Sequence, residues 1–175
     1  MFEKKLVVDV ADIPVDNQIK PGQLFNITTN NVSYLTHNIH KYPAKFIPHI
    51  PKWAMSKYLK DEGKLVLDPF CGSGTTLVEA ILNSHNSVGI DIDPLAVLIS
   101  KVKTTKIDPQ KLIKIKKDVI KSIKMPPKHL FRPELETLEH WFNDEAINDL
   151  GLLRSIIEEY RDDKNIYDFL IVTFS

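Results

Sequence analysis

"LVLDPFCGSGTTLVEA", residues 65–80, reads as an apolar strand that turns through an acid, a proline and two glycines into a helix. Such a turn exposes backbone N–H groups and lets a ligand approach the main chain closely. A second strand, "SVGIDID" at 87–93, also ends in acids. "PLAVLISKVKTTK", from Pro94, then reads as a second helix with proline in its first turn. Strand, helix, strand, helix from residue 64 to about 103 is the opening of an α/β sandwich with a parallel sheet, in which ligands bind at the carboxyl ends of the strands.

Two nucleotide loops compete for the turn, and neither fits. A P-loop needs a lysine after its second glycine, and Thr75 follows Gly74 here. A dinucleotide loop needs a third glycine, which "GSGTTL" lacks. Asp68 at the end of the first strand suits a cationic or amine-bearing ligand better than a pyrophosphate. Asp91 at the end of the second can accept hydrogen bonds from both hydroxyls of a ribose. Together these favour an adenosyl ligand without a phosphate, such as S-adenosylmethionine.

"DPFCGSGTT" (68–76) followed by "GIDIDPLA" (89–96) resembles the cofactor motifs of amino-group DNA methyltransferases, which make N4-methylcytosine or N6-methyladenine. RNA guanine-N2 methyltransferases carry a similar turn. "HKYPAKFIP" (40–48) resembles the segment that precedes the turn in circularly permuted DNA enzymes and closes over the methionine end of the cofactor. The resemblance covers residues 37 to 100 well. It implies a partial Rossmann-like methyltransferase fold of the α/β class, with an incomplete sheet and added C-terminal helices. It assigns Asp68, Phe70, Gly72, Gly74, Thr75 and Thr76 to the cofactor turn, Asp91 to the ribose, and Ile92 and Asp93 to the side of the adenine. Tyr42, Ala44, Lys45 and Phe46 would approach the methionine moiety. The partner it implies is double-stranded DNA, with cytosine-N4 favoured over adenine-N6 and a restriction-modification setting.

The resemblance also implies a motif of the type Asp/Asn/Ser-Pro-Pro-aromatic, which in that family polarises the amine of the flipped-out base. The only Pro-Pro pair here is Pro126 and Pro127, between Met125 and Lys128, and it reads as a linker. No catalytic residue is therefore assigned. "NIYDFLIVTFS" leaves an apolar run at the C-terminus, whose exposure would forgo roughly 1.5–3 kcal/mol per large side chain. The expectation is a cofactor-binding part, inactive by itself, whose catalytic half lies on a separate chain or is lost. A fragment of an RNA guanine-N2 enzyme and a non-catalytic remnant or regulatory module are the alternatives.

The flanks read more simply. "KLVVDV" is a short strand. "QLFNITTNNVSYLTH" (23–37) reads as a hairpin around an Asn/Thr-rich turn, and a helix is expected from Pro51 or Lys52. "DPQKLIKIKKDVIKSIK" is a lysine-rich amphipathic helix, and the acidic stretch after Arg132 is also helical in pattern. Lys111, Lys114, Lys116, Lys117, Lys121 and Lys124 form a solvated face or lie near nucleic-acid phosphates. The expected domains are 1–36, 37–105 and 106–175. Among 175 residues, 43% are apolar, the formal net charge is zero and Cys71 is the only cysteine. These values exclude a disulfide framework within the chain and give no support to whole-chain polyanion binding. With no signal-like or membrane-length segment, a cytoplasmic protein without a membrane role is expected. His37, His40 and His49 lack a fourth ligand at metal-binding spacing, so no metal is assigned.

Overall fold

The computed structural model describes residues 6–9, 25–28, 32–43, 45–127 and 129–175. The chain divides into two compact units, one up to Thr104 and one from Thr105 to Ser175.

In the first unit, β1 (Leu6–Asp9) pairs in parallel with β2 (Phe25–Thr28), Leu6 opposite Phe25 and Asp9 opposite Thr28. β2 is therefore not an arm of the expected hairpin. Residues 32–34 that would begin the other arm are not strand, and Leu35–Asn38 form a 3-10 turn. The Asn/Thr-rich composition signals a turn, but β2 finds its partner far back in the chain. Residues 29–31 lie outside the described residues. Helix α1 (His49–Tyr58) begins two residues before Pro51, which falls in its first turn, where the missing N–H costs nothing.

β3 (Leu65–Asp68) and β4 (Asn86–Gly89) form a second parallel pair, with Asp68 opposite Gly89. Helix α2 (Thr75–Leu82) crosses between them, and α3 (Pro94–Thr104) follows β4. Asp91 thus lies two residues past the strand rather than at its end. The alternation of the strands splits the sheet into two faces. Val66, Asp68, Ser87 and Gly89 are half-buried. On that face Leu77 of α2 comes within 2.8 Å of where a Gly89 Cβ would stand. Leu65, Leu67 and Val88 are exposed on the other face. The core of this unit comprises Met55, Leu77, Val78, Ala80, Ala96, Ile99 and Val102.

The second unit is helical among the described residues. α4 (Pro109–Lys124) starts on an Asp108 cap that accepts the Gln110 N–H at 3.0 Å. Of its expected apolar positions Ile115 is buried, Leu112 and Val119 are half-buried, and Ile113, Ile120 and Ile123 are exposed. The acidic stretch is broken into α5 (Leu138–Trp141) and α6 (Asp144–Glu158), the latter capped by Asn143 on the Ala146 N–H at 2.8 Å. The apolar C-terminal run forms α7 (Lys164–Phe174) and buries Ile166 and Val172. No helix among the described residues is long and apolar enough to cross a membrane.

Candidate functional site

The turn after β3 is built by two glycines and two acids. Gly72 and Gly74 have φ of +48° and +78°, the left-handed region that side chains resist. Gly74 also has no room for a side chain, since a Cβ there would stand 2.7 Å from the Ser100 Cβ and 2.9 Å from its Cα. This contact seats the start of α2 directly on α3. Asp68 caps the first bend by accepting the Phe70 N–H at 3.1 Å.

Asp91 ties the two loops together. Its Oδ2 accepts the Gly72 N–H at 2.8 Å and its Oδ1 accepts the Asp93 N–H at 3.0 Å. These two N–H groups hold its carboxyl below the usual carboxylate range. A carboxylate has about four acceptor positions, and the Ile92 N–H also lowers the pKa of this one, so acceptor capacity remains for a ligand's hydroxyl. The Cys71 N–H donates to the Ile90 carbonyl at 2.9 Å, which carries the parallel ladder into the loops. Asp93 starts α3, accepting the Leu95 N–H at 2.9 Å on Oδ1.

The upstream segment lies over this turn. Tyr42 donates its hydroxyl to Asp93 Oδ2 at 3.2 Å, and its ring is 3.4 Å from where a Gly72 Cβ would stand. Burial and then the Asp93 bond push its phenol upward. Lys45 Nζ donates to the His37 carbonyl at 3.0 Å.

A cavity of about 90 Å³ opens here, lined by Tyr42, Lys45, Phe46, Asp68, Phe70, Cys71, Gly72, Ser73, Thr75 and Thr76. Of the residues expected from sequence, Tyr42, Lys45, Phe46, Asp68, Phe70, Gly72, Thr75 and Thr76 come together around it. Gly74 seats its floor on α3, and Asp91 and Asp93 join it through Gly72 and Tyr42. Phe70 stands 88% exposed at its rim, and Ile92, in the loop after β4, is 99% exposed. Ala44 lies outside the described residues.

Sequence reasoning passed over Ser73, whose buried hydroxyl has no hydrogen-bond partner among the described residues and lines the cavity. It also passed over Lys103, buried on α3 with its ammonium unpartnered among the described residues. Desolvation, with the Lys45 charge adding, brings Lys103 down to about 8. Cys71 is buried against Gly89 and its thiol is pushed up by burial, as befits a packing residue. A larger cavity, about 250 Å³, lies in the second unit between Phe131, Leu138, Phe142 and Ile147. Its walls are apolar apart from Arg154, so it offers little for catalysis. Among the described residues no group of three or more His, Cys, Asp or Glu is placed to hold a metal ion.

The residues fit an S-adenosyl ligand in its chemistry. One cavity gathers the Asp68 carboxylate, the buried Ser73 hydroxyl, the Lys45 ammonium and the first residues of α2, with the Asp91 carboxylate joined to it through Gly72. Acceptors and donors in one place suit a ligand that carries both hydroxyl or ammonium donors and a carboxylate.

Comparison with known proteins places this geometry in a family. A family model described as DNA methylase, of the N6/N4 methyltransferase kind, matches residues 5–102. The chain is 34% identical over 164 residues to the Type II methyltransferase M.MvaI of Kocuria varians, covering 88% of this chain and 36% of that protein. It is 40% identical over 111 residues to the Type II methyltransferase M.MjaII of Methanocaldococcus jannaschii, covering 61% of this chain and 21% of that one. A shorter match, 38% identical over 58 residues, is to the tRNA (guanine(10)-N2)-dimethyltransferase of the same archaeon, covering 32% of this chain and 16% of that protein. No solved structure matches. The chain thus spans about a third or less of these curated relatives, and it belongs to the N6/N4 DNA methylase family.

Proposed function

We propose that this chain is the S-adenosylmethionine-binding portion of a site-specific DNA methyltransferase that acts on an exocyclic amino group. The observation that carries the reading is the Asp91 carboxylate bonded to the Gly72 N–H, which ties the glycine turn after Asp68 to the loop after β4. Asp68 and Asp91 would take the amine and ribose groups of the donor, Gly72 would admit it close to the main chain, Gly74 would seat the cofactor turn on α3, and Ile92 and Asp93 would flank the adenine. Thr75 and Thr76 present the first N–H groups of α2, and Tyr42, Lys45 and Phe46 cover the methionine end. The donor, when bound, supplies an electrophilic methyl group.

Presenting the target amine is a separate task. No sequence of the Asp/Asn/Ser-Pro-Pro-aromatic kind occurs in these 175 residues. Double-stranded DNA is the proposed substrate of a complete enzyme, cytosine-N4 is preferred over adenine-N6, and a restriction-modification role is proposed from the Type II relatives. The curated tRNA relative keeps the RNA guanine-N2 reading as the second one.

The test is titration calorimetry with S-adenosylmethionine, S-adenosylhomocysteine, ATP and NAD⁺, followed by transfer of a labelled methyl group to duplex DNA. The two adenosyl ligands should bind at micromolar concentration and the two phosphates should not. The 175-residue chain should transfer no label. Preferential binding of ATP or NAD⁺ would refute the donor site, and methyl transfer by the chain alone would refute the division of labour.

A further inference from the structure

We propose that Glu79, with Tyr34 and His37, forms a positioning group for the donor site, holding the segment that carries Tyr42, Lys45 and Phe46 against the turn. The inference rests on the donor-site reading above and assigns residues that lie outside the cavity.

Glu79 occupies the buried side of α2, one turn after Thr75, and is only 1% exposed. A carboxylate is costly to bury unless its oxygens are satisfied. Its Oε1 accepts two hydrogen bonds, from the Tyr34 hydroxyl at 2.5 Å and from His37 Nε2 at 2.9 Å. Both donors come from a stretch more than 40 residues earlier in the chain. Burial and then the carboxylate push the Tyr34 phenol upward, so the hydroxyl keeps its proton and goes on donating. The Tyr34 and His37 rings meet edge to face with centroids 5.0 Å apart.

The backbone between the two donors supports the same reading. Leu35 has φ +49° and a side chain 68% exposed. A leucine takes up that left-handed conformation only where its surroundings impose it. Burial of the leucine cannot be the cause, because the side chain is in solvent. The constraints that flank it are the convergence of Tyr34 and His37 on one oxygen and the His37 N–H bond to the Tyr34 carbonyl.

From His37 the connection runs to the cavity. The His37 carbonyl accepts from Lys45 Nζ, while Tyr42 reaches Asp93 and covers Gly72. Glu79 does not itself line the cavity, so it acts on the donor only through this segment.

Native-state trypsin digestion tests the segment without any ligand, because the bonds after Lys41 and Lys45 lie in it while those after Lys60 and Lys64 do not. Glu79→Ala should speed cleavage after Lys41 and Lys45 about tenfold relative to Lys60 and Lys64, the scale of a lost buried acceptor. Glu79→Gln, which keeps one acceptor oxygen, should rescue part of the effect. Ile99→Val, a core change on α3, should show no such selectivity. Tyr34→Phe removes a single donor and should give a smaller selective increase, which keeps the test open should Glu79→Ala fail to fold. By calorimetry, Glu79→Ala should weaken S-adenosylmethionine binding about tenfold, and the loss should vanish in a Tyr42→Ala, Lys45→Ala background. Uniform cleavage at all four lysines, or a loss of affinity undiminished in that background, overturns the proposal. Selective cleavage with no donor binding by the wild-type chain refutes the donor-site reading instead and, with it, the positioning role.

Discussion

Gly74→Ala is the sharpest test of how the turn is built, because Gly63 supplies an internal control. Both glycines have positive φ, +78° and +72°. A Cβ at Gly63 meets nothing within 4 Å, whereas one at Gly74 would lie 2.7 Å from the Ser100 Cβ and 2.9 Å from its Cα. Gly63→Ala should therefore cost only the left-handed penalty, roughly 1–2 kcal/mol. Gly74→Ala carries the same penalty plus overpacking against a backbone that cannot swing away, roughly 1–3 kcal/mol more. The difference between the two variants should thus be about 2 kcal/mol. Trp53 lies in the first unit and Trp141 in the second, so urea unfolding followed by fluorescence in a Trp141→Phe background reports the first unit alone. Gly74→Ala should also displace Thr75 and Thr76 and weaken donor binding, while Gly63→Ala should leave it intact. Equal destabilisation by the two substitutions would refute the close approach of the turn to α3.

Three further outcomes follow from the charges. Asp91 has a depressed folded pKa, so its contribution to the turn is full above the unfolded carboxylate value of roughly 3.9 and is lost as pH falls through the lower folded value. Asp91→Asn should therefore flatten the acid-unfolding curve below about pH 4, and a curve identical to wild type would contradict this. Lys103 is depressed to about 8 in the fold, so between pH 8 and 10 the unfolded chain binds more protons and stability should rise with pH. Lys103→Met should remove that rise, as read by urea midpoints across the range. On α4, Lys114, Lys117, Lys121 and Lys124 are exposed and recur at helical spacing. If they neutralise phosphates, replacing two of them by alanine should reduce the slope of log K against log salt for duplex DNA by about 1.8, and an unchanged slope marks them as a solvated face.

The central part of this fold was legible because its signals are local. β3, α2, β4 and α3 each announce themselves by alternation, glycine turn or helical spacing, and Asp68, Gly72, Gly74 and Asp91 lie within those signals. The Asn/Thr-rich stretch after β2 misled because turn composition does not say which strand is the partner, and β2 pairs with β1 across residues 10–24. Glu79 was missed for a related reason. An apolar residue of the same helix, Ile81, is 49% exposed, while a carboxylate takes a buried place. Only the arrival of Tyr34 and His37 from a distant segment makes that burial affordable. The three histidines noted as possible metal ligands include one whose work is to donate a hydrogen bond. Ser73 was passed over because nothing in sequence distinguishes an idle serine from one whose hydroxyl is buried without a partner.

The exposed face of the β3–β4 pair has a practical consequence. Leu65, Leu67 and Val88 stand in solvent at 69%, 60% and 46%, with Ile90 at 55% just beyond the strand. Among the described residues this sheet has two strands, so each is an edge, and flat apolar edges recruit further strands. Preparations of this chain should therefore be limited by colloidal behaviour before they are limited by unfolding. Sedimentation should show mass that grows with protein concentration, and a charge placed at Leu67 should raise the working concentration while sparing Asp68, which alternates to the other face of the strand.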